Sequence, residues 1–159
     1  MPIFEREGIP HFLLTRRTEE VQTHKGQISF PGGMRHGNET LETTALRETY
    51  EEVGIERGQI EILGQYHDYL SSTDNRVTPF AGYIAGPFLP RPQVTEVAEI
   101  LYVPFDVFLD PTGFRTERRV RANSEIEVYF YDFGHHEIWG LTARIIKDFL
   151  ADCYVNDKW

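Results

Sequence analysis

A chain of 159 residues, 40% hydrophobic and 13% aromatic, is long and apolar enough to fold around one core, which excludes a disordered segment. Its net charge of -9 excludes general affinity for nucleic acid, yet a phosphorylated metabolite stays open to it through local arginines, backbone amides or a bridging divalent metal. A single cysteine, Cys153, permits no intrachain disulfide, and there is neither a long apolar run nor a basic-then-apolar leader at MPIFEREG, so the expectation is a cytoplasmic protein without a membrane span.

No repeat, low-complexity block or long linker interrupts the chain, so residues 1–159 read as one domain. HFLLTRR (11–17) predicts a strand, the polar stretch TEEVQTHKG follows, and QISF (27–30) predicts a short strand that runs into the turn PGG. After the loop MRHGNE, Thr40 is placed to cap a helix over LETTALRETYEEV, and Gly54 stands where a left-handed residue ends one. Ala45, Leu46, Thr49, Tyr50 and Val53 make the face expected to pack, with Thr44, Arg47, Glu48, Glu51 and Glu52 outward. QIEILGQYHDYL and VTPFAGYIAG predict further strands, LYVPFDVFL a strand leading into a short turn or helix, and EIEVYFYDF a strand alternating throughout. LTARIIKDFLADCY predicts a C-terminal amphipathic helix. Strands with one internal and one terminal helix imply an α/β mixed sheet covered by helices, rather than repeating parallel units.

Within RETYEEVG (47–54), Glu48, Glu51 and Glu52 fall on one side of the helix near its negative end. Each like-charge pair at such spacing costs about 0.2–0.5 kcal/mol. A solvated charged face and a cation site both accommodate the cluster, and the residues before it distinguish them. From Gly33, five residues lead to Glu39, seven more to Arg47 and Glu48, and then Glu51, Glu52, Gly54 and Ile55 follow in the spacing of the Nudix box, which this stretch resembles. The one departure is Thr49 at an aliphatic position. Upstream, LLTRRTEEVQTHKGQISFPGG (13–33) resembles the coenzyme A pyrophosphatase subgroup of Nudix hydrolases, matching at Leu13, Leu14, Thr15, Arg17, Gly26, Phe30, Pro31, Gly32 and Gly33. Thr18 stands where that pattern has serine, and Gln22 where it has arginine.

The resemblance implies a Nudix fold, an α/β/α sandwich around a mixed β-sheet, and a hydrolase that cleaves the diphosphate linkage of CoA or its derivatives with Mg²⁺ or Mn²⁺. Glu48 and Glu52 would be metal ligands, Glu51 a ligand of a second ion, and Gly32 or Gly33 a carbonyl donor. Hard cations take oxygen donors, so carboxylates that repel one another when empty are neutralised by the metal. Arg47 would orient a ligand by pairing with Glu51. Arg17, Gly26 and Phe30 would face the substrate. Glu96, in QVTEVAEI, is the candidate general base, with Glu48 and Glu99 as rivals and a solvated pair of edge carboxylates as the plainer account. Two other functions stay open: hydrolysis of another nucleoside diphosphate derivative, which Gln22 favours, and a non-catalytic nucleotide- or partner-binding Nudix module. The implied partner is a CoA-like small molecule, with no membrane or nucleic acid, and a homodimer is compatible with the chain.

Three further groups draw notice. HEIWG (136–140) begins like a zinc-protease motif but lacks the second histidine, so zinc is rejected. His24 and His36 flank the glycine turn, where phosphate contact or simple solvation would suit them. Arg115, Arg118, Arg119 and Arg121 make a basic cluster that would meet a phosphate or be balanced by Glu117 and Glu125 in a hairpin.

Overall fold

A computed structural model of the chain describes residues 1–19, 26–121 and 124–155. Gln22 and His24 lie outside the described residues. The chain divides into two compact units, Met1–Val103 and Pro104–Trp159.

The first unit holds β1 (Pro2–Arg6), β2 (Ile9–Arg17), β3 (Ile28–Ser29), α1 (Leu41–Val53), a short 3₁₀ turn, β4 (Ile60–Gln65), β5 (Tyr69–Leu70), β6 (Arg76–Val77), β7 (Phe80–Ile84) and β8 (Val97–Pro104). Its main sheet runs β3-β2-β1-β7-β4, and β8 also pairs with β2. β1 is antiparallel to β2 and parallel to β7, so the sheet is mixed as expected. β1 itself is not among the strands expected from the sequence. Its signal is the two-residue turn to β2, where Glu7 and Gly8 have φ of 54° and 78°, the positive values that match strand twist in a tight hairpin. A glutamate in place of the usual Asn or Asp hides the turn.

Phe12, Leu13 and Leu14 of β2 are all fully buried, so this strand is covered on both faces and its apolar run does not alternate. Leu13 joins Phe4, Ile84, Val53 and Ile55 in one cluster, which fixes the end of α1 to the sheet. Each such side chain contributes about 1.5–3 kcal/mol by leaving water.

Both predicted caps of α1 are present. The Thr40 hydroxyl accepts the Thr43 N–H at 3.1 Å, and Gly54, at φ 69°, donates its N–H to the Tyr50 carbonyl at 2.8 Å. The final carbonyls would otherwise be orphaned. Arg91 N–H reaches the Val53 carbonyl at 2.7 Å and Gln93 N–H the Glu52 carbonyl at 2.9 Å, so residues 91–93 cross the helix end as a strap. The expected split of the helix faces is corrected at three positions: Tyr50 is 50% exposed, while Thr44 and Glu52 are buried. Each buried polar side chain has a hydrogen-bond partner that an amphipathic pattern cannot reveal. Thr49 fits its aliphatic position because its hydroxyl donates to the Ala45 carbonyl at 2.8 Å.

The second unit holds α2 (Asp106–Leu109), β9 (Phe114–Arg121), β10 (Ser124–Phe133), β11 (His136–Trp139) and α3 (Gly140–Val155), with an antiparallel sheet ordered β11-β10-β9. Phe108 of α2 meets Tyr131 of β10 edge-on at 5.1 Å, and α3 buries Ala143, Ile146 and Leu150. RTERRVR is β9, and much of its basic charge is compensated locally. Arg115 pairs with Glu117 and Glu137, Arg119 pairs with Glu117, and both guanidinium groups lie over the Phe130 ring. HEIW forms β11 rather than a helix. Among the described residues no helix is long and apolar enough to cross a membrane.

A Cβ on Gly54 would lie 2.9 Å from Arg91 Cβ and 3.2 Å from its backbone N and O, in addition to the cost of positive φ. Gly54→Ala is therefore expected to destabilise the protein by about 1–3 kcal/mol, measured as a lowered denaturation midpoint.

Candidate metal and catalytic centre

Arg47 occupies the middle of the acidic face. Its Nε and Nη2 form a fork on Glu39 at 3.2 and 2.9 Å, its Nη1 reaches Glu48 at 2.8 Å and Glu51 at 3.0 Å, and Nη2 also donates to the Met34 carbonyl at 3.0 Å. The expected Arg47–Glu51 pair is thus the exposed edge of a larger network, since Glu51 is the half-exposed member. Glu39 and Glu48 are the contacts that helix spacing does not suggest. Glu39 lies outside the helix, and its donors are the Arg47 fork, the His36 N–H at 2.8 Å and the Thr44 hydroxyl at 3.0 Å. Arg47 first, then the His36 amide, hold its carboxyl at about 2. The hydrogen bond to Glu39, followed by that to Glu48, raises Arg47 in turn.

Glu48 faces the glycine turn. A Cβ on Gly33 would stand 2.6 Å from the Glu48 carboxylate, so only glycine allows this approach. Glu52, 6% exposed, accepts the N–H of Gly32. Burial pushes its carboxyl up to about 7; Gly32 and the charge of Arg17 oppose the shift, while Glu48 and Glu96 add repulsion. Glu48 and Glu96 are thus near enough to Glu52 to oppose its ionisation, and Arg17 near enough to favour it.

Glu96 is exposed and held by its backbone. Its N–H donates to the Gln93 carbonyl, its own carbonyl accepts the Thr18 N–H at 2.9 Å, and the Thr18 hydroxyl grips the neighbouring Thr95 carbonyl at 3.0 Å. The strap across the helix end thus continues directly into Glu96. Glu99, the rival base, is engaged in an ion pair with Arg16 at 3.3 Å. Arg17 Nε is buried and has no hydrogen-bond partner among the described residues. Gly26 has φ 66°, and a Cβ there would meet the Glu19 carboxylate at 2.8 Å. Phe30 is half-buried edge-on against Phe12 at 5.4 Å. The structure shows packing and turn roles for Gly26 and Phe30, and no polar side-chain atom from either.

The donor set fits a hard divalent cation. Its oxygens come from carboxylates and a glycine turn, one carboxyl is buried and short of positive charge, and the missing Cβ at Gly33 lets the Glu48 carboxylate lie against that turn.

Residues 1–123 match the family described as the NUDIX domain. The chain belongs to the NUDIX family. It is 38% identical over 138 residues, 86% of its own length and 74% of the relative's, to the uncharacterized Nudix hydrolase NudL of Photorhabdus laumondii subsp. laumondii. It is 30% identical over 152 residues to the peroxisomal coenzyme A diphosphatase NUDT7 of Mus musculus, an alignment covering 91% of this chain and 64% of the mouse protein. Among solved structures, the C. elegans Ap4A hydrolase aligns with a TM-score of 0.58 over 66% of this chain and 76% of its own, at 18% identity, a likeness of fold. By this membership the protein is a Nudix pyrophosphohydrolase with a mixed α/β fold.

Glu52 gives a pH dependence to the metal-free protein. Below about pH 4.5 both folded and unfolded states hold this proton; between 4.5 and about 7 only the folded state does, so the stability that Glu52 contributes falls as pH rises through that window. The full loss is about 3 kcal/mol. Because the buried Met1 amino group, pushed down to about 5, works in the opposite sense, the test is the difference between chelator-treated wild type and Glu52→Gln: the melting temperature of the variant is expected to gain several degrees on the wild type between pH 5 and pH 8, as followed by thermal denaturation.

Proposed function

We propose that the protein hydrolyses the diphosphate linkage of coenzyme A or a CoA derivative, releasing 4′-phosphopantetheine and adenosine 3′,5′-bisphosphate from CoA itself. The observation that carries the reaction class is the mutually repelling pair of buried Glu52 and half-buried Glu48 against the Gly32–Gly33 turn, with Glu96 adding to the repulsion on Glu52. The substrate reading is supported by the likeness to the mouse CoA diphosphatase and by the FPGG-centred pattern upstream of the box.

In this reading Glu48 and Glu52 hold Mg²⁺ or Mn²⁺, with a carbonyl of Gly32 or Gly33, and Glu51 serves a second ion. A divalent cation bound there polarises the phosphoryl oxygens and lowers the pKa of a bound water. Arg47, fixed by its fork on Glu39, keeps Glu48 oriented. Arg17 supplies positive charge beside Glu52, where the diphosphate adds negative charge. Phe30 and the Gly26 turn border the substrate side. A carboxylate takes the proton of the attacking water as its oxygen bonds to phosphorus and the bridging P–O bond breaks, the electron pair leaving with the departing phosphate. Glu96 is assigned this proton because it is exposed and anchored, whereas Glu48 is engaged by Arg47.

Residues 1–159 are taken as one Nudix domain, since the family match runs past the boundary at Pro104. The single cysteine suits a reducing compartment such as the cytoplasm. Gln22, where the CoA subgroup has arginine, favours a second reading with another nucleoside diphosphate derivative as substrate.

The test is a panel of CoA, acyl-CoA, a nucleotide sugar and a dinucleoside polyphosphate with Mg²⁺ or Mn²⁺, products being identified by mass. CoA or its thioester is expected to be cleaved with the highest kcat/KM; cleavage of a nucleotide sugar with CoA untouched would reject the substrate. Glu52→Gln is expected to lower kcat by at least about a hundredfold with the fold retained. Near-normal turnover in that variant would reject the ligand assignment.

A further inference from the structure

Thr44 has a chemistry that the box spacing does not require. It is 5% exposed on α1, four residues after the N-cap, and its hydroxyl lies 3.0 Å from Glu39 Oε1 and 3.1 Å from the Thr40 carbonyl. A hydroxyl has one proton to donate. The Thr40 carbonyl already accepts the Thr44 N–H at 2.9 Å, whereas Glu39 is an anion, and a charged acceptor takes the stronger bond. Glu39 Oε1 then gathers three donors, the His36 amide, Arg47 Nη2 and Thr44, while Oε2 takes Arg47 Nε. A carboxylate so surrounded has one orientation. Its fork therefore holds Arg47 in the pose that delivers Nη1 to Glu48.

We infer that Thr44 is a positioning residue: its hydroxyl fixes Glu39, Glu39 fixes Arg47, and Arg47 fixes the Glu48 carboxylate for the metal. The chain of contacts explains why a polar side chain is buried where a helix facing a sheet would take alanine. It rests on the reading of Glu48 as a metal ligand. The serine hydroxyl would serve as well as threonine's, and valine, which keeps the shape, would not.

The experiment measures Mn²⁺ affinity directly by calorimetry on the full chain, alongside thermal denaturation of the metal-free protein and steady-state kinetics. Thr44→Val and Thr44→Ala are expected to weaken Mn²⁺ binding by about three- to tenfold and to lower kcat with little change in the substrate KM, while Thr44→Ser stays within about twofold of the wild type. A role in stability alone would lower the melting temperature and leave the Mn²⁺ affinity unmoved. Unchanged affinity in the Val or Ala variant overturns the inference, as does a Ser variant as weak as Val, or a wild type that binds no Mn²⁺. Should Thr44→Val fail to fold, the Ala and Ser variants decide by the same criteria. If the wild type binds Mn²⁺ but cleaves no diphosphate, the proposed function fails, while the affinity comparison among variants still decides the role of Thr44.

Discussion

Arg47 faces three carboxylates and a backbone carbonyl, and the polar organisation of the first unit follows from the need to keep that guanidinium in one place. Like charges on one helical turn destabilise it unless a cation stands among them. Arg47 neutralises the outer part of the cluster, at Glu39, Glu48 and Glu51. Glu52 lies deeper, has one amide and the charge of Arg17 to favour its ionisation, and is left with a carboxyl whose ionisation burial opposes. Positive charge is therefore supplied permanently on one side of the cluster and withheld on the other. That asymmetry combines carboxylates held in one orientation with an unmet demand for positive charge at Glu52.

The elements around the cluster show how little freedom it has. Gly33 admits the Glu48 carboxylate where any side chain would displace it, and Gly54 allows the strap to lie against the helix end. Val53 and Ile55, buried with Leu13 and Phe4, fix the helix to the sheet just beyond the last glutamate. Apolar burial thus sets the position of Glu52, and backbone hydrogen bonds set the position of Glu96. Neither depends on the other's side chain.

Much of this architecture is legible in the amino-acid sequence. The Thr40 and Gly54 caps, the helix between them and most strands follow from local chemistry, and the acidic cluster follows from its spacing. Three features are not legible there. β1 is hidden by a turn with glutamate at a positive-φ position. Glu52 and Thr44 read as outward-facing because periodicity sorts residues by polarity and cannot see the Gly32 amide or the Glu39 carboxylate that allow them inside. The Glu39–Arg47 fork spans a loop and a helix, so no helical rule predicts it, although the seven-residue gap between them in the box is its visible trace. Roles for Gly26 and Phe30 rest on the motif alone, since their contacts are those of a turn and a packed ring.

The strap at residues 91–93 holds the helix through the N–H groups of Arg91 and Gln93, and prolines at 90 and 92 alternate with these donors and restrict the intervening backbone. None of this grip uses a side chain. The outward side chains of Arg91, Gln93 and Val94 are therefore free to be exchanged over evolutionary time, provided no proline enters position 91 or 93. A loop fastened in this way keeps Glu96 in register with the end of the helix whatever side chains its outer face carries.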